Sequence, residues 1–185
     1  QEALRDDRIE VFLQPIYSVK QQNFPSAEAL VRLREKDGGI MMPGSFVPAA
    51  EQSGLIEQLG ERVFEKVCAM IKGYELEKIG IRYIEVNLSI MQCMQGGLAG
   101  DLISVMKKYG VRPDQINLEI TESADSQTQS IIAENLTALL SAGFTFSLDD
   151  FGTGYSNMQR MASLPLKIVK LDKTFVNFDD NPRLM

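Results

Sequence analysis

The sequence predicts an α/β fold built on a mainly parallel sheet, from three observations. Apolar strand-like segments alternate with helix-like segments over residues 11–176. A short polar linker joins the first two strand segments, which is typical of an antiparallel hairpin. A helix separates each later strand segment from the next, which is typical of parallel strands with helical crossovers. With 185 residues, 44% of them hydrophobic, the chain is long enough for one domain with a buried core.

The individual elements follow from the spacing of apolar residues. Strands are expected at residues 11–17, 24–34, 83–89, 116–121, 144–150 and 168–172. Helices are expected within residues 43–54 and at residues 56–73, 98–109, 126–142 and 155–164. Ser45 is the candidate cap of the first helix, and Gly73, Gly110 and Gly143 are expected to end the three that follow it.

Composition and charge exclude several classes of protein. The chain contains no histidine, which excludes Ser-His-Asp and Cys-His catalysis and histidine-ligated zinc. A formal net charge of −6 argues against binding of DNA or RNA, which uses basic surfaces. Cys68 and Cys93 lack the spacing of a metal site, so we expect free thiols in a reducing compartment, the cytoplasm. The sequence has no long apolar run of the kind that spans a membrane, and any anchor of the parent protein is expected outside this segment.

Polar side chains recur near the carboxyl ends of the predicted strands. They are Glu28, Asn87, Glu119, Asp149, Asp150 and Lys170. In a β/α barrel these strand ends form one face, so the side chains are expected to meet there. Buried like charges repel unless a cation neutralises them, and oxygen ligands without His or Cys favour Mg²⁺, Mn²⁺ or Ca²⁺. The pattern predicts a divalent-metal site, and the adjacent aspartates suit a pair of ions acting on a phosphodiester.

The residues alone leave alternatives open. A single acid at a strand end commonly faces solvent, although solvent exposure is a poor account of the whole set. Lys170 could hold an attacking water or stabilise phosphoryl charge. It could also form a salt bridge to the acids, and that contact is compatible with either role.

Short motifs follow one another along most of the chain. Residues 28–30 read EAL, residues 14–16 read QPI, and residues 43–56 read PGSFVPAAEQSGLI. Residues 86–89, 118–123, 149–156 and 170–172 read VNLS, LEITES, DDFGTGYS and KLD. The EAL tripeptide alone would carry no weight, but the series closely resembles the EAL-domain family of bacterial cyclic-di-GMP phosphodiesterases. The resemblance implies a modified TIM (β/α)8 barrel with an antiparallel first strand. It also implies hydrolysis of the second messenger cyclic di-GMP to linear pGpG with two Mg²⁺ or Mn²⁺ ions.

The resemblance implies a set of metal ligands. Glu28, Asn87, Glu119 and Asp149 would hold the first metal ion. Asp149 and Asp150 would serve the second. These are the polar residues of the strand ends, so the family pattern and the residue pattern point to the same place.

Further roles are implied for residues around the metals. Lys170 would position the attacking water. Arg32 would contact a phosphate of the ligand, and Gln14 and the glutamate of the EAL tripeptide would contact the ligand as well. Glu122 would steady the loop at residues 151–156, in which glycines allow tight turns.

The family pattern continues beyond the last motif of this chain. Members carry a further glutamate on strand seven and a Gln-Gly pair on strand eight, and neither follows Lys170. We therefore expect residues 1–185 to form one EAL domain that lacks its C-terminal strands, with about six of eight strands present. Such a chain is expected to be weakly active or inactive alone, and either to be prone to aggregation or to pair its open edges with a second copy.

Two functions other than catalysis remain open. The chain could be a degenerate or truncated EAL module that binds cyclic di-GMP without cleaving it, although every acid of the motifs it contains is present. It could also be a regulatory or dimerisation element that docks through the helix predicted at residues 155–164. In the family, a sensor domain or a cyclic-di-GMP-synthesising GGDEF domain commonly lies upstream, and such a domain is the expected neighbour in the parent protein.

Overall fold

The computed structural model describes residues 1–121, 129–152 and 166–175. In these ranges seven strands form one sheet with the spatial order β1-β2-β4-β5-β6-β7, and β3 pairs with β2. The strands are β1 (Ile9–Ser18), β2 (Asn23–Arg34), β3 (Ile40–Met41), β4 (Tyr83–Asn87), β5 (Ile116–Thr121), β6 (Thr145–Phe151) and β7 (Leu166–Leu171). The α-helices are α1 (Glu2–Arg5), α2 (Val47–Gln52), α3 (Ile56–Gly73), α4 (Ile90–Cys93), α5 (Leu98–Tyr109) and α6 (Gln129–Ser141). Short 3-10 helices cover Pro43–Ser45, Leu76–Ile79, Pro113–Gln115 and Lys173–Phe175.

The pairing of the strands confirms the predicted fold class. β1 and β2 form an antiparallel hairpin in which Gln14 lies opposite Glu28. β2 then pairs in parallel with β4, and β5, β6 and β7 follow in parallel. Helix α3 lies between β2 and β4 in the chain, α5 between β4 and β5, and α6 between β5 and β6. The architecture is therefore a β/α sheet in which β1 and the two-residue β3 run against the other strands.

Strands β2, β4, β5 and β6 each present one mainly apolar and one mainly polar face, because side chains alternate along a strand. The apolar face, called the outer face here, belongs to the hydrophobic core that includes the helices. Its residues include Ala27, Ala29, Ile84, Val86, Ile116, Leu118, Phe146 and Leu148. The opposite or inner face carries Ser26, Glu28, Glu85, Asn87, Asn117, Glu119, Ser147 and Asp149. Four of the functional residues expected from the sequence lie on this inner face: Glu28, Asn87, Glu119 and Asp149.

The helices cover the outer face with apolar stripes. In α3 the buried residues are Ile56, Leu59, Val63, Phe64, Val67, Cys68 and Ile71, spaced at three and four positions as a helix requires. Phe64 reaches Phe144, which precedes β6, with their ring centroids 6.5 Å apart. Gly110 ends α5 in the left-handed conformation, with φ of 66°, which glycine adopts without a side-chain clash.

Several details of the sequence expectation are wrong. Ser45 does not cap a helix; it ends a 3-10 turn, and Phe46 precedes α2 without a side-chain cap. Pro48 in the first turn of α2 suits a helix start without such a cap, because proline there removes one unpaired N–H group. The end expected for α3 is, in contrast, confirmed, because Gly73 is its last residue. Strand β3 was not expected, because two residues are too short for a periodic signal.

Other expectations are confirmed or lie outside the described residues. Cys68 and Cys93 are buried free thiols, and burial raises the pKa of each to about 12. The helix predicted at residues 126–142 is observed as α6, and residues 126–128 lie outside the described part of the chain. The helix predicted at residues 155–164 lies wholly outside it. Among the described residues, no helix has the length and apolar character needed to cross a membrane.

Candidate functional site

Lys170 on β7 lies at the centre of the inner face. Its Nζ atom is 3.2 Å from Oε2 of Glu28 and 2.9 Å from Oε2 of Glu85, and it also contacts Oε1 of Glu119. Three other strands, β2, β4 and β5, supply these carboxylates. Lys170 and Glu28 are 142 positions apart in the sequence, and their strands are not neighbours in the sheet. The sheet therefore curls around its inner face, as the wall of a barrel does.

Asn87 at the end of β4 joins this group. Its Nδ2 atom donates a hydrogen bond to Oε1 of Glu28 over 3.2 Å, and it lies beside Glu119 in the β4–β5 register. Donation through Nδ2 leaves Oδ1 as the atom of Asn87 that can accept a cation. The amide of Asn87 and the carboxylates of Glu28 and Glu119 therefore lie close together, with oxygen atoms that can bind a cation.

A hydrogen-bonded turn fixes the chain immediately after Asn87. Ser89 caps α4, and its backbone N–H donates to Oε1 of Gln92 over 3.1 Å. The Ser89 hydroxyl donates to Oε1 of Glu51 in α2 over 2.6 Å. A Cβ atom at Gly60 in α3 would lie 1.8 Å from Nε2 of Gln92, so only glycine admits this side chain. The end of β4 is thereby tied to two helices.

Asp149 and Asp150 lie where β6 departs from regular pairing. The β6–β7 register shifts between Leu148 and Phe151, and Asp150 has a positive φ of 52°. A bulge of this kind changes the direction of the side chains at a strand end. Asp149 faces the cavity described below, whereas Asp150 is exposed. Desolvation and the charges of Asp149 and Asp172 raise the pKa of Asp150.

The electrostatics of the site reflect an excess of buried negative charge. Glu119 is 1% exposed, and burial, reinforced by a hydrogen bond with Glu85, raises its pKa to about 9 against the opposing effect of Lys170. Burial lowers the pKa of Lys170, but its hydrogen bonds to Glu119 and Glu85 outweigh burial and raise that pKa above its ordinary value. A further cation at this place would allow all the carboxylates to ionise.

A cavity of about 940 Å³ opens beside these residues. Glu28, Asn87 and Asp149 line it on the polar side, and side chains such as Val47 and Leu59 line it on the apolar side. Ligand cavities of proteins commonly have volumes of about 300–1,000 Å³ with a few polar groups on apolar walls. The cavity is large enough for a ligand the size of a dinucleotide.

The other residues predicted from the sequence are Gln14, Arg32 and Glu122. Gln14 is exposed and lies opposite Glu28 on the neighbouring strand. Arg32 donates from Nη1 to the carbonyl oxygen of Val31 over 2.8 Å, and its guanidinium lies 5.8 Å from the ring centroid of Phe12. Glu122 lies outside the described residues, as does most of the loop it was expected to steady.

The donor chemistry of the inner face fits a divalent cation. Across residues 1–121, 129–152 and 166–175, no three acidic or cysteine side chains stand in an arrangement ready to hold a metal ion. The Lys170 ammonium stands instead where Glu28 and Glu119 converge, so these carboxylates already accept positive charge. Carboxylate and amide oxygens are the donors that Mg²⁺ and Mn²⁺ prefer.

Glu85 is the site residue that sequence reasoning missed. It is 1% exposed and contacts Lys170 from β4. The alternation of β4 gave a usable signal, because Glu85 lies two positions before Asn87 and must share its face. No motif drew attention to it.

The fold and the site together define a β/α-barrel protein with an acidic, cation-accepting centre at the carboxyl ends of its strands. The protein-family model described as "EAL domain" matches residues 1–184. The chain belongs to the EAL domain family.

Relatives and solved structures agree with this assignment. The signaling protein YkoW of Bacillus subtilis is 33% identical over 181 residues, covering 95% of this chain and 22% of YkoW. The bifunctional diguanylate cyclase/cyclic di-GMP phosphodiesterase MucR of Pseudomonas aeruginosa is 32% identical, covering 95% of this chain and 26% of MucR. The chain therefore spans only about a quarter of these relatives' length or less.

Two solved structures superpose closely. A structure described as the PaMucR phosphodiesterase in complex with c-di-GMP has a TM-score of 0.86 and 31% identity, over 95% of this chain and 71% of that chain. The FimX EAL domain of Pseudomonas aeruginosa bound to c-di-GMP has a TM-score of 0.84 over 98% of this chain and 72% of that chain. At 20% identity, the latter supports the fold alone.

Proposed function

We propose that this chain carries the catalytic face of a metal-dependent phosphodiesterase that hydrolyses cyclic di-GMP to linear pGpG. The observation that carries the proposal is the convergence of Glu28, Glu119 and Asn87 around one cationic group, beside a cavity of dinucleotide size. Divalent-metal dependence goes with EAL phosphodiesterases in general. Membership of the EAL family and the relatives named as cyclic di-GMP phosphodiesterases support the choice of substrate.

The inner-face oxygens are the proposed ligands of two Mg²⁺ or Mn²⁺ ions. Glu28, Asn87, Glu119 and Asp149 would hold one ion, and Asp149 and Asp150 would serve the other. When bound, such ions lower the pKa of a coordinated water and neutralise charge on the phosphoryl group. Ca²⁺ accepts the same oxygens in a looser and larger arrangement, so it is expected to inhibit.

The other residues act on the water and the ligand. The Lys170 ammonium would donate a hydrogen bond that orients the attacking water at the inner face. Gln14, opposite Glu28, would contact the ligand, and Arg32 would contact a phosphate after turning away from the Val31 carbonyl. Glu122 is proposed to steady the loop after Asp150.

The test is release of pGpG from cyclic di-GMP, followed by chromatography, with the purified chain and with a longer protein that contains it. We expect turnover by the longer protein with Mg²⁺ or Mn²⁺ and none in excess chelator. Glu28→Ala should abolish turnover, whereas Glu10→Gln is the matched control because it removes a carboxylate of β1 that pairs with Arg34 instead. Robust turnover in chelator would overturn the proposal.

Binding without cleavage is the other outcome of interest. A chain that binds cyclic di-GMP in the cavity yet releases no pGpG with either ion would be a binding module. Calorimetric titration with cyclic di-GMP in the presence of Ca²⁺ separates binding from hydrolysis, because Ca²⁺ supports ligand contacts without the compact geometry that Mg²⁺ requires.

A further inference from the structure

Glu85 is a buried carboxylate on the inner face that none of the sequence motifs assigns to the site. It neighbours Glu28 in the β2–β4 register and lies two residues before Asn87. Its side chain is 1% exposed, whereas Asn87 is exposed at the end of the strand. Its Oε2 atom lies 2.9 Å from Nζ of Lys170, and its side chain shares a hydrogen bond with Glu119. Burial of a charged carboxylate costs folding free energy unless the charge is paired.

We propose that Glu85 is a positioning residue that holds the Lys170 ammonium in place when a divalent cation occupies Glu28 and Glu119. The proposal rests on the function proposed above, since it presupposes that cation. Glu85 acts through Lys170 and does not itself ligate the metal.

The charges of the cluster support this role. Lys170 contacts Glu28, Glu85 and Glu119. A divalent cation on Glu28 and Glu119 would occupy the carboxylates that pair with the ammonium and would repel it. Glu85 is then the contact of Lys170 that supplies a negative charge to keep the ammonium at the site.

The depth of Glu85 separates it from the metal ligands. Glu28, Asn87 and Asp149 line the cavity, whereas Glu85 lies about 6–7 Å nearer the amino end of β4 than Asn87, at the rise of a β-strand. A cation entering from the cavity meets Glu28 and Asn87 first. Lys170 can then give up its contacts with Glu28 and Glu119 and keep the one with Glu85.

The test is a double-mutant cycle on Mn²⁺ affinity, measured by calorimetry on the substrate-free chain. Glu85→Gln keeps the shape of the side chain and removes its charge. We expect it to weaken Mn²⁺ binding by about tenfold, because the released ammonium then stays on Glu28 and Glu119. In the Lys170→Met background, where no ammonium competes, the same change should shift the Kd by less than about threefold. Glu10→Gln, distant in the sheet and paired with Arg34, should leave the Kd unchanged.

Other outcomes would overturn the proposal. An equal loss of affinity in both backgrounds would make Glu85 a direct ligand or a general source of negative charge. A fall in melting temperature with an unchanged Kd would make it structural only. If Glu85→Gln does not fold, Glu85→Asp serves in the same cycle, because its shorter side chain withdraws the carboxylate from Lys170 and should give an intermediate loss. Failure of the unsubstituted chain to bind Mn²⁺ would instead overturn the proposed cation site and this role with it.

Discussion

Leu118 and Glu119 are neighbours in β5 and equally buried, each 1% exposed. Leu118 lies on the outer face in the hydrophobic core, where burial itself stabilises the fold. Glu119 lies on the inner face, where burial penalises its charge and raises its pKa. The same alternation places Val86 on the outer face beside Glu85 on the inner face. The two faces of one sheet therefore have opposite effects on stability. Burial of apolar side chains on the outer face stabilises the fold, whereas burial of charged groups on the inner face costs stability.

The largest effect expected from this difference is on catalysis by the inner face. Glu119→Gln keeps the side-chain shape but removes a proposed metal ligand, so turnover in the longer protein should fall by about 1,000-fold, or ~4 kcal/mol in the barrier. Its melting temperature should stay at or above that of the unsubstituted protein, because the raised pKa of Glu119 costs the folded state stability at neutral pH and glutamine removes that cost. The measurement is pGpG release per folded molecule. Retention of more than about a tenth of the turnover rate would show that Glu119 is not a metal ligand.

The matched change on the outer face should affect stability alone. Leu118→Ala leaves a cavity in the core and should lower the free energy of unfolding by about 3 kcal/mol. Turnover of the protein that remains folded should change by less than about threefold, because the inner face is untouched. Urea denaturation followed by circular dichroism gives the first value. A loss of turnover as large as that of Glu119→Gln would show that the two faces are not separable.

Helix α3 on the outer face packs against the turn that follows β4, and a substitution at Gly60 tests whether this packing positions the site. An alanine there would place its Cβ 1.8 Å from Nε2 of Gln92 and so displace the side chain that accepts from the Ser89 N–H. We expect a stability loss of about 2 kcal/mol, together with weaker Mn²⁺ binding because the end of β4 carries Asn87. Gly73→Ala in the same helix has no atom near its Cβ and serves as the control. Unchanged Mn²⁺ affinity in folded Gly60→Ala would show that the turn does not position the site.

A smaller effect is expected on the pH dependence of metal-free stability. Burial raises the pKa of Glu119 to about 9 in the folded chain, from an ordinary value of 4.5, so the folded state keeps a proton that the unfolded chain loses. The stability that protonated Glu119 gives the folded state is present in full below about pH 4.5 and is lost as the pH rises towards 9. Over this range each pH unit should lower the free energy of unfolding by at most about 1.4 kcal/mol. Denaturation in chelator at several pH values measures it, and Glu119→Gln should flatten the curve.

The sequence predicted the sheet well because its signals were local and repeated. Apolar runs of four to six residues followed by helical stripes located six of the seven described strands, and residues 116–121 were predicted to the residue. Glu28, Asn87, Glu119 and Lys170 were predicted to meet, and the structure brings them into contact. Strand ends of parallel sheets share one edge, so position along the strand was sufficient.

Contacts that depend on how deeply a side chain is buried, or on elements distant in the sequence, could not be predicted from the sequence. Glu85 was missed because an acid in the middle of a strand is ordinarily solvent-exposed, and only the curled sheet buries it against Lys170. The cap at Ser45 was wrong because its neighbours adopt a 3-10 turn. The metal, ligand and catalytic roles of all the predicted site residues stay predictions, including those of Gln14, Arg32, Asp150 and Glu122.

The most direct test of the central claim is the position of Mn²⁺ in crystals of the protein, located by anomalous scattering at the manganese edge. The account predicts a peak about 2.1 Å from oxygen atoms of Glu28, Asn87 and Glu119. Lys170 should then have withdrawn from Glu28 and Glu119 while keeping its contact with Glu85. A crystal saturated with Mn²⁺ that shows no peak on the inner face, with Lys170 still bridging the three carboxylates, would contradict the account.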